Sequence, residues 1–157
     1  MKTIGVIPCR YQSSRFPGKP LALINDKPMM WHTYQRALES NALNEVYILT
    51  DDLRIKEVSD DYGLNVIMTS SKHLTGTDRV AEVSQYLDAD YYVNIQGDEP
   101  LINPDAIKKV SNEIRRHDFL SPIKVVNAYS VLDDDSDIID SNVVKVITDI
   151  DSNVLAY

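Results

Sequence analysis

Short apolar, β-branched runs alternate along this chain with segments whose apolar residues recur at helical spacing. Such alternation predicts an α/β fold, a doubly wound, mostly parallel sheet with helices on both faces, because a helix between successive strands returns the chain for parallel pairing. The strands are expected at Thr3 to Ile7, Glu45 to Thr50, Asn65 to Thr69, Tyr91 to Ile95 and Val125 to Val131. Between them Ile55, Val58 and Tyr62, then Val80, Val83 and Leu87, then Ile107, Val110 and Ile114 each give a helix one buried stripe. Pro28 suits the first turn of a helix carrying Met30, Tyr34, Ala37 and Leu38, Asn103-Pro104 reads as a cap before a first-turn proline, and Gly63 closes the helix that ends at Tyr62. The acidic run Asp133 to Asp137 reads as a solvated loop. Val143 to Thr148, a turn at Asp149 to Asn153, and Val154 to Tyr157 read as a strand, a turn and the start of a partner strand.

A chain of 157 residues, 43% of them hydrophobic, can bury a core of its own. Its net charge of −8 weighs against general binding to nucleic acids or anionic membranes, since phosphate surfaces attract Lys- and Arg-rich ones. An anionic ligand has to be held locally. The single cysteine, Cys9, excludes an internal disulfide or a cysteine zinc cluster and points to a reducing compartment. The N-terminus lacks the pattern of a signal peptide, and no apolar run approaches the length that spans a bilayer. A cytoplasmic location is expected.

Against that acidic background residues 8 to 20 form a cationic island. Arg10, Arg15 and Lys19 could neutralise a polyphosphate, while Ser13, Ser14 and backbone N–H groups supply neutral donors. The segment follows the first predicted strand, and ligands of α/β sheets bind beyond the carboxyl ends of strands. It is not a P-loop, because Pro20 follows Gly18-Lys19, and no GxGxxG occurs. Thr75-Gly76-Thr77-Asp78-Arg79 sits at a predicted helix start, where Gly76 would let a planar base approach the backbone. Were the segment only a cap, Arg79 would lie on the surface. Asn94 to Pro100 follows another strand and reads either as an Asp-containing turn or as a site in which Asp98, ahead of Glu99, binds Mg²⁺, a hard cation that takes one or two carboxylates plus substrate phosphates. His32, His73 and His117 show no metal-ligand spacing and are expected to be structural or exposed, and Cys9 a packing residue.

The segments IPCRYQSSRFPGKPL, LTGTDRVAEV and VNIQGDEPLI, in this order and spacing, closely resemble the 3-deoxy-manno-octulosonate (KDO) cytidylyltransferases. The first segment alone would also admit sialic acid cytidylyltransferases. The resemblance runs from Met1 to Tyr157 and implies a nucleotide-diphospho-sugar transferase-like fold, with residues 1–157 as a nucleotide-binding domain incomplete at its C-terminus. It further implies a homodimer when complete, and transfer of CMP from CTP to the anomeric hydroxyl of KDO with Mg²⁺, in service of lipopolysaccharide or capsule. By matching position, Arg10, Ser13, Ser14, Arg15 and Lys19 resemble a triphosphate loop. Thr75, Gly76 and Thr77 resemble part of a cytidine pocket with Gln96 beside it, and Asp98 resembles a metal ligand. Cys9 stands where alanine is common in the family. A different 2-keto sugar acid, or CTP binding without turnover, are the alternatives.

Overall fold

The computed structural model describes residues 1–13, 16–117, 125–132, 134–141 and 143–156. Ser14 and Arg15 of the cationic loop, with Asp133 and Tyr157, therefore lie outside the described residues.

In chain order, β1 (Thr3–Pro8) leads through the cationic loop and a 3-10 turn (Lys19–Leu21) into a small antiparallel hairpin of β2 (Leu23–Ile24) and β3 (Lys27–Pro28). Then follow α1 (Met29–Glu39), β4 (Glu45–Thr50), α2 (Leu53–Asp61), β5 (Val66–Met68), α3 (Gly76–Val83), β6 (Tyr91–Asn94) and α4 (Pro104–Arg115). These elements belong to one compact unit, Met1–Val126. A second unit, Asn127–Tyr157, holds α5 (Asp135–Ile139) and an antiparallel pair, β7 (Ile147–Thr148) and β8 (Val154–Ala156).

β1, β4, β5 and β6 form the expected parallel sheet in the order β5-β4-β1-β6. Strand residues alternate between its faces. Ile7, Val46, Ile48 and Val93 pack with Met30, Tyr34 and Ala37 of α1, Ile55 of α2 and Ile107 of α4. Ile4, Val6 and Leu49 pack with Val83 of α3 on the other face. Helices on both faces explain why these strands read as continuous apolar runs rather than alternating ones. The chain adds β4 and then β5 to one side of β1 and places β6 on its other side. The order reverses between β1 and β6, and the crevice at the carboxyl ends of those two strands is the switch point where such sheets bind ligands.

Local signals set the helix starts. Asp52 accepts from the Arg54 N–H at 3.0 Å, and Asn103 accepts from the Asp105 N–H at 2.9 Å ahead of Pro104. Pro28 stands at the cap of α1, one residue before its first turn. Gly63, at φ 65°, follows the end of α2 as expected. Ser59 and Ser111 are fully buried, which the apolar triples did not foresee. Their hydroxyls donate to the carbonyls of Ile55 (2.7 Å) and Ala42 (3.2 Å), so the polar atoms keep partners inside the core.

Two expectations fail. Val125 to Val131 is not a strand: the run straddles the boundary between the two units, and Val125 and Val131 are each 82% exposed. β-propensity expresses packing against neighbouring strands and a covered face, and β-branched residues without either gain nothing from extension. The acidic run is not a plain loop either. Residues 135–137 begin α5, which Asp134 caps by accepting from the Ser136 N–H at 2.8 Å. The terminal strand-turn-strand is present in shorter form, with Asp149 accepting from the N–H groups of Asp151 and Asn153.

Candidate active site

The loop after β1 is shaped mainly by its backbone. Cys9 N–H extends the sheet by donating to Leu49 O at 2.8 Å, and Gly18 N–H closes the loop by donating to Tyr11 O at 2.7 Å. Gly18 has φ 74°, and a Cβ there would sit 3.1 Å from the Tyr11 ring, so both conformation and space call for glycine. Arg54 stacks on the same ring, its guanidinium lying 3.3 Å from the ring centroid while donating to Asp52 at 2.9 and 2.6 Å. The Arg54 bond holds Asp52 below the usual carboxylate range. Ser13 Oγ accepts from the Phe16 N–H at 3.4 Å, a long contact within the loop. Cys9 is buried, and desolvation, with the nearby Asp98 charge, pushes its thiol up to about 12. It is a protonated packing residue, as its isolation in the sequence suggested.

Two expected residues meet across the switch point. Lys19 Nζ donates to Asp98 Oδ2 at 2.8 Å, joining the loop after β1 to the loop after β6. The two side chains are 38% and 55% exposed, so the pair adds little stability. Its consequence is positional: a cation and a carboxylate are held together at the mouth of the crevice. Gly97 makes this approach possible. A Cβ on it would lie 2.7 Å from Pro8 O and 3.0 Å from Cys9 Sγ. Gln96 and Glu99 are exposed beside it, and the Glu99 N–H donates to Gln96 O at 3.2 Å to form the turn.

The third segment comes from the opposite side of β1. Thr75 Oγ1 accepts from the Asp78 N–H at 3.2 Å while Asp78 accepts from the Thr75 N–H at 2.8 Å, a full capping box. Thr75 and Thr77 are exposed, and a hydroxyl that accepts one bond can still donate another. A Cβ on Gly76 would lie 3.1 Å from the Pro8 ring, so the helix start rests directly on the end of β1. Arg10 completes the connection by donating to Leu74 O at 2.9 Å. Among the described residues the structure thus gathers Arg10, Ser13, Lys19, Thr75, Gly76, Thr77, Gln96 and Asp98 at the carboxyl edge of β1 and its neighbours.

Arg79 is not on the surface. It is 1% exposed, pairs with Asp51 at 2.9 Å, and donates to Thr69 Oγ1 at 2.6 Å. The available signal was its position four residues before Val83 on the buried stripe of α3, which an arginine's usual preference for water obscured. Arg54, Asp51 and Glu82 were missed as well. The histidines are structural: His32 bonds Ile24 O, His73 bonds Glu82, and His117 lies 3.6 Å from Glu113. Among the described residues no group of three or more His, Cys, Asp or Glu could hold a metal ion.

The cytidylyltransferase family model matches residues 4–157. The chain belongs to this family. A 3-deoxy-manno-octulosonate cytidylyltransferase of Leptospira interrogans is 49% identical over 94% of the chain and 59% of its own length. An 8-amino-3,8-dideoxy-manno-octulosonate cytidylyltransferase of Shewanella pealeana is 41% identical over 97% of the chain and 62% of its own length. The solved structure of CMP:2-keto-3-deoxy-manno-octonic acid synthetase complexed with CTP superposes with a TM-score of 0.72 at 45% identity, over 74% of this chain and 48% of that one. The chain therefore spans about 60% of the length of the curated relatives it matches. Family membership and fold agree with the expectations raised by the three motifs.

Proposed function

We propose that this chain carries the CTP-binding part of a KDO cytidylyltransferase, which transfers CMP from CTP to the anomeric hydroxyl of KDO and releases pyrophosphate. The observation that carries the reading is the meeting of Lys19 and Asp98 at the switch point of a cytidylyltransferase sheet. In the reaction the sugar oxygen forms a bond to the α-phosphorus as the bond from that phosphorus to the oxygen bridging it to the β-phosphate breaks; that oxygen leaves with pyrophosphate, and the hydroxyl proton passes to water. Arg10 and Lys19, with Arg15 from the same segment, lower the barrier by neutralising charge on the phosphate oxygens. No covalent enzyme intermediate is needed. Thr75, Gly76, Thr77 and Gln96 would hold the cytidine, and Ser13 and Ser14 would donate to phosphate.

A hard cation fits what is present. Asp98 offers a carboxylate oxygen, Cys9 is protonated and buried, and Mg²⁺ commonly takes one or two protein carboxylates with substrate phosphates filling the rest. Bound there by Asp98, Mg²⁺ would withdraw charge from the phosphates and favour pyrophosphate as leaving group. Service in lipopolysaccharide synthesis, a cytoplasmic location and a homodimer of the complete protein belong to the same proposal. No helix among the described residues is long and apolar enough to cross a membrane.

The 41% identity to an 8-amino-3,8-dideoxy-manno-octulosonate cytidylyltransferase favours keeping the amino sugar as a second acceptor. The share of the relatives' length that this chain spans favours a CTP-binding unit that needs further residues for turnover. One series of assays tests all three: CTP titration, then pyrophosphate release with CTP, Mg²⁺ and either KDO or its 8-amino analogue. We expect CTP binding in every case. Absence of CTP binding would overturn the proposal, and release with the amino sugar alone would reassign the acceptor.

A further inference from the structure

Between the end of β5 and the start of α3 the segment 69–75 crosses the carboxyl edge of the sheet, and it is held from below by side chains of the helix it leads into. Thr69 still belongs to the sheet edge, its N–H and hydroxyl both donating to Thr50 O, at 2.8 and 3.2 Å. The Arg79 guanidinium donates to the Thr69 hydroxyl at 2.6 Å and to Ser70 O at 3.1 Å, and pairs with Asp51 beyond the end of β4. One turn further along α3, Glu82 Oε2 accepts from the Ser70 N–H at 2.9 Å and from His73 Nε2 at 2.5 Å. Both backbone polar groups of Ser70 are thus fixed, the carbonyl by Arg79 and the N–H by Glu82. Spacing of i and i+3 puts those two side chains on one face of the helix.

Packing alone does not call for this arrangement. Arg79 is 1% exposed, and its Nε has no hydrogen-bond partner among the described residues. A buried guanidinium with an unsatisfied N–H is costly, and an apolar side chain of similar volume would fill the same space at no such cost. What an apolar residue could not do is hold Ser70 and Thr69 in register with Asp51. The far end of the segment is tied as well, by Arg10 to Leu74 O and by Thr75 N–H to Asp78. Between those anchors the shape of the wall next to Thr75 and Gly76 is set.

We infer that Arg79 and Glu82 are positioning residues for the nucleoside end of the site, holding the segment 69–75 so that Thr75 to Thr77 meet the base, while contributing nothing directly to the phosphates. This role rests on the proposed reading of Thr75 to Thr77 as the cytidine side. It separates two grips on one ligand: Lys19 acts on the phosphates, and Arg79 and Glu82 act through backbone shape on the base.

Calorimetric titration of the chain with CTP and, separately, with inorganic triphosphate tests it. For Arg79→Met and for Glu82→Gln we expect CTP affinity to fall about tenfold, the equivalent of one lost well-placed hydrogen bond, with triphosphate affinity changed less than about twofold on the same scale. Arg79→Lys, which keeps the charge beside Asp51 but not the fork, should recover part of the loss. Equal losses for both ligands, or no loss for either, in folded variants would overturn the role. If Arg79→Met does not fold, Glu82→Gln decides, since it leaves the Arg79 bonds in place. A parent chain that binds triphosphate but not CTP would remove the proposed function and this role with it, whereas a parent that binds CTP alongside unaffected variants removes only the role.

Discussion

Two loops at the same edge of one sheet are built in opposite ways. In the loop after β1 Arg10 is exposed, and the described residues are held by backbone bonds, by Gly18 at positive φ, and by the stack of Arg54 on Tyr11. Residues 69–75 are held by charges placed underneath, with Arg79 almost completely buried. A loop that must grip a polyanion can leave its charges in water until the ligand arrives, whereas a loop that must present a surface to a flat, nearly neutral base needs its shape fixed beforehand. On the proposed reading, charge in the first loop serves binding and in the second serves geometry.

The sharpest way to break that contrast is to remove the partner of the buried charge. Asp51→Asn leaves the Arg79 guanidinium buried without its counter-charge, a change that costs about 3 kcal/mol or more in such settings. Because Asp51 itself is partly exposed, with 24% of its side chain accessible, the lower end applies. Urea unfolding at neutral pH should show the loss as a lowered midpoint at unchanged slope. A loss under about 0.5 kcal/mol, the scale of an ordinary surface substitution, would mean that the buried charge is not what secures the segment.

Lys19→Ala should behave in reverse. Its pair with Asp98 is solvent-exposed, so stability should move by no more than about 1 kcal/mol. CTP affinity should nevertheless drop on the order of 10²-fold, comparable with losing one preorganised electrostatic contact. If stability and affinity fell together, binding and geometry would not be divided between the two loops.

How far this division was visible in the sequence follows from the same physics. Glu45 to Thr50 was placed at its observed bounds because a central strand covered on both faces must be apolar throughout, while Asn65 to Thr69 was drawn longer than the observed Val66–Met68 of an outer strand. Val125 to Val131 has strand-forming residues but pairs with no strand among the described residues, and both of its ends are exposed. Lys19 and Asp98 stood out because a cation island in an acidic chain and a carboxylate after a strand are compositional facts, and the family resemblance linked them. Arg79, Asp51 and Glu82 did not stand out, since an arginine or a carboxylate on a short helix or in a loop ordinarily points to water and only tertiary contacts show otherwise. Ser59 and Ser111 were hidden for a related reason: small hydroxyls that bond a nearby carbonyl can enter a core without an apolar signature.

Gly97 lies where the loops after β1 and β6 touch, and so tests whether their approach is required. A methyl at this position meets Pro8 O at 2.7 Å, a backbone atom that cannot swing aside. Gly97→Ala should therefore push the two loops apart, costing about 1–3 kcal/mol as an overpacked site does, and should weaken CTP through Lys19 and Asp98 rather than through Thr75. Inorganic triphosphate binding should fall along with CTP binding, unlike the result expected for Glu82→Gln. A substitution that left triphosphate affinity intact would show that the Lys19–Asp98 contact can be separated without loss to the phosphate side.

Acid should distinguish the loops with the smallest perturbation of all. The Ser70 N–H, ahead of His73, lowers the Glu82 pKa from its ordinary value of 4.5, and bonds with Thr75 lower that of Asp78 from 3.8. A carboxylate depressed in the fold binds fewer protons there than in the unfolded chain, so its contribution is complete above the ordinary value and is lost as pH falls through the depressed one. Residues 9–18 contain no carboxylate, and the amides of Cys9 and Gly18 donate to backbone carbonyls. On acidification followed by NMR, the amide signals of Ser70 and Thr75 should shift with midpoints below 4.5 and 3.8 respectively, while those of Cys9 and Gly18, which donate to no carboxylate, should shift less over the same range. Midpoints at or above the ordinary values would mean that Glu82 and Asp78 are not the acceptors that fix the segment, and its geometry would have to come from the Arg79 side alone.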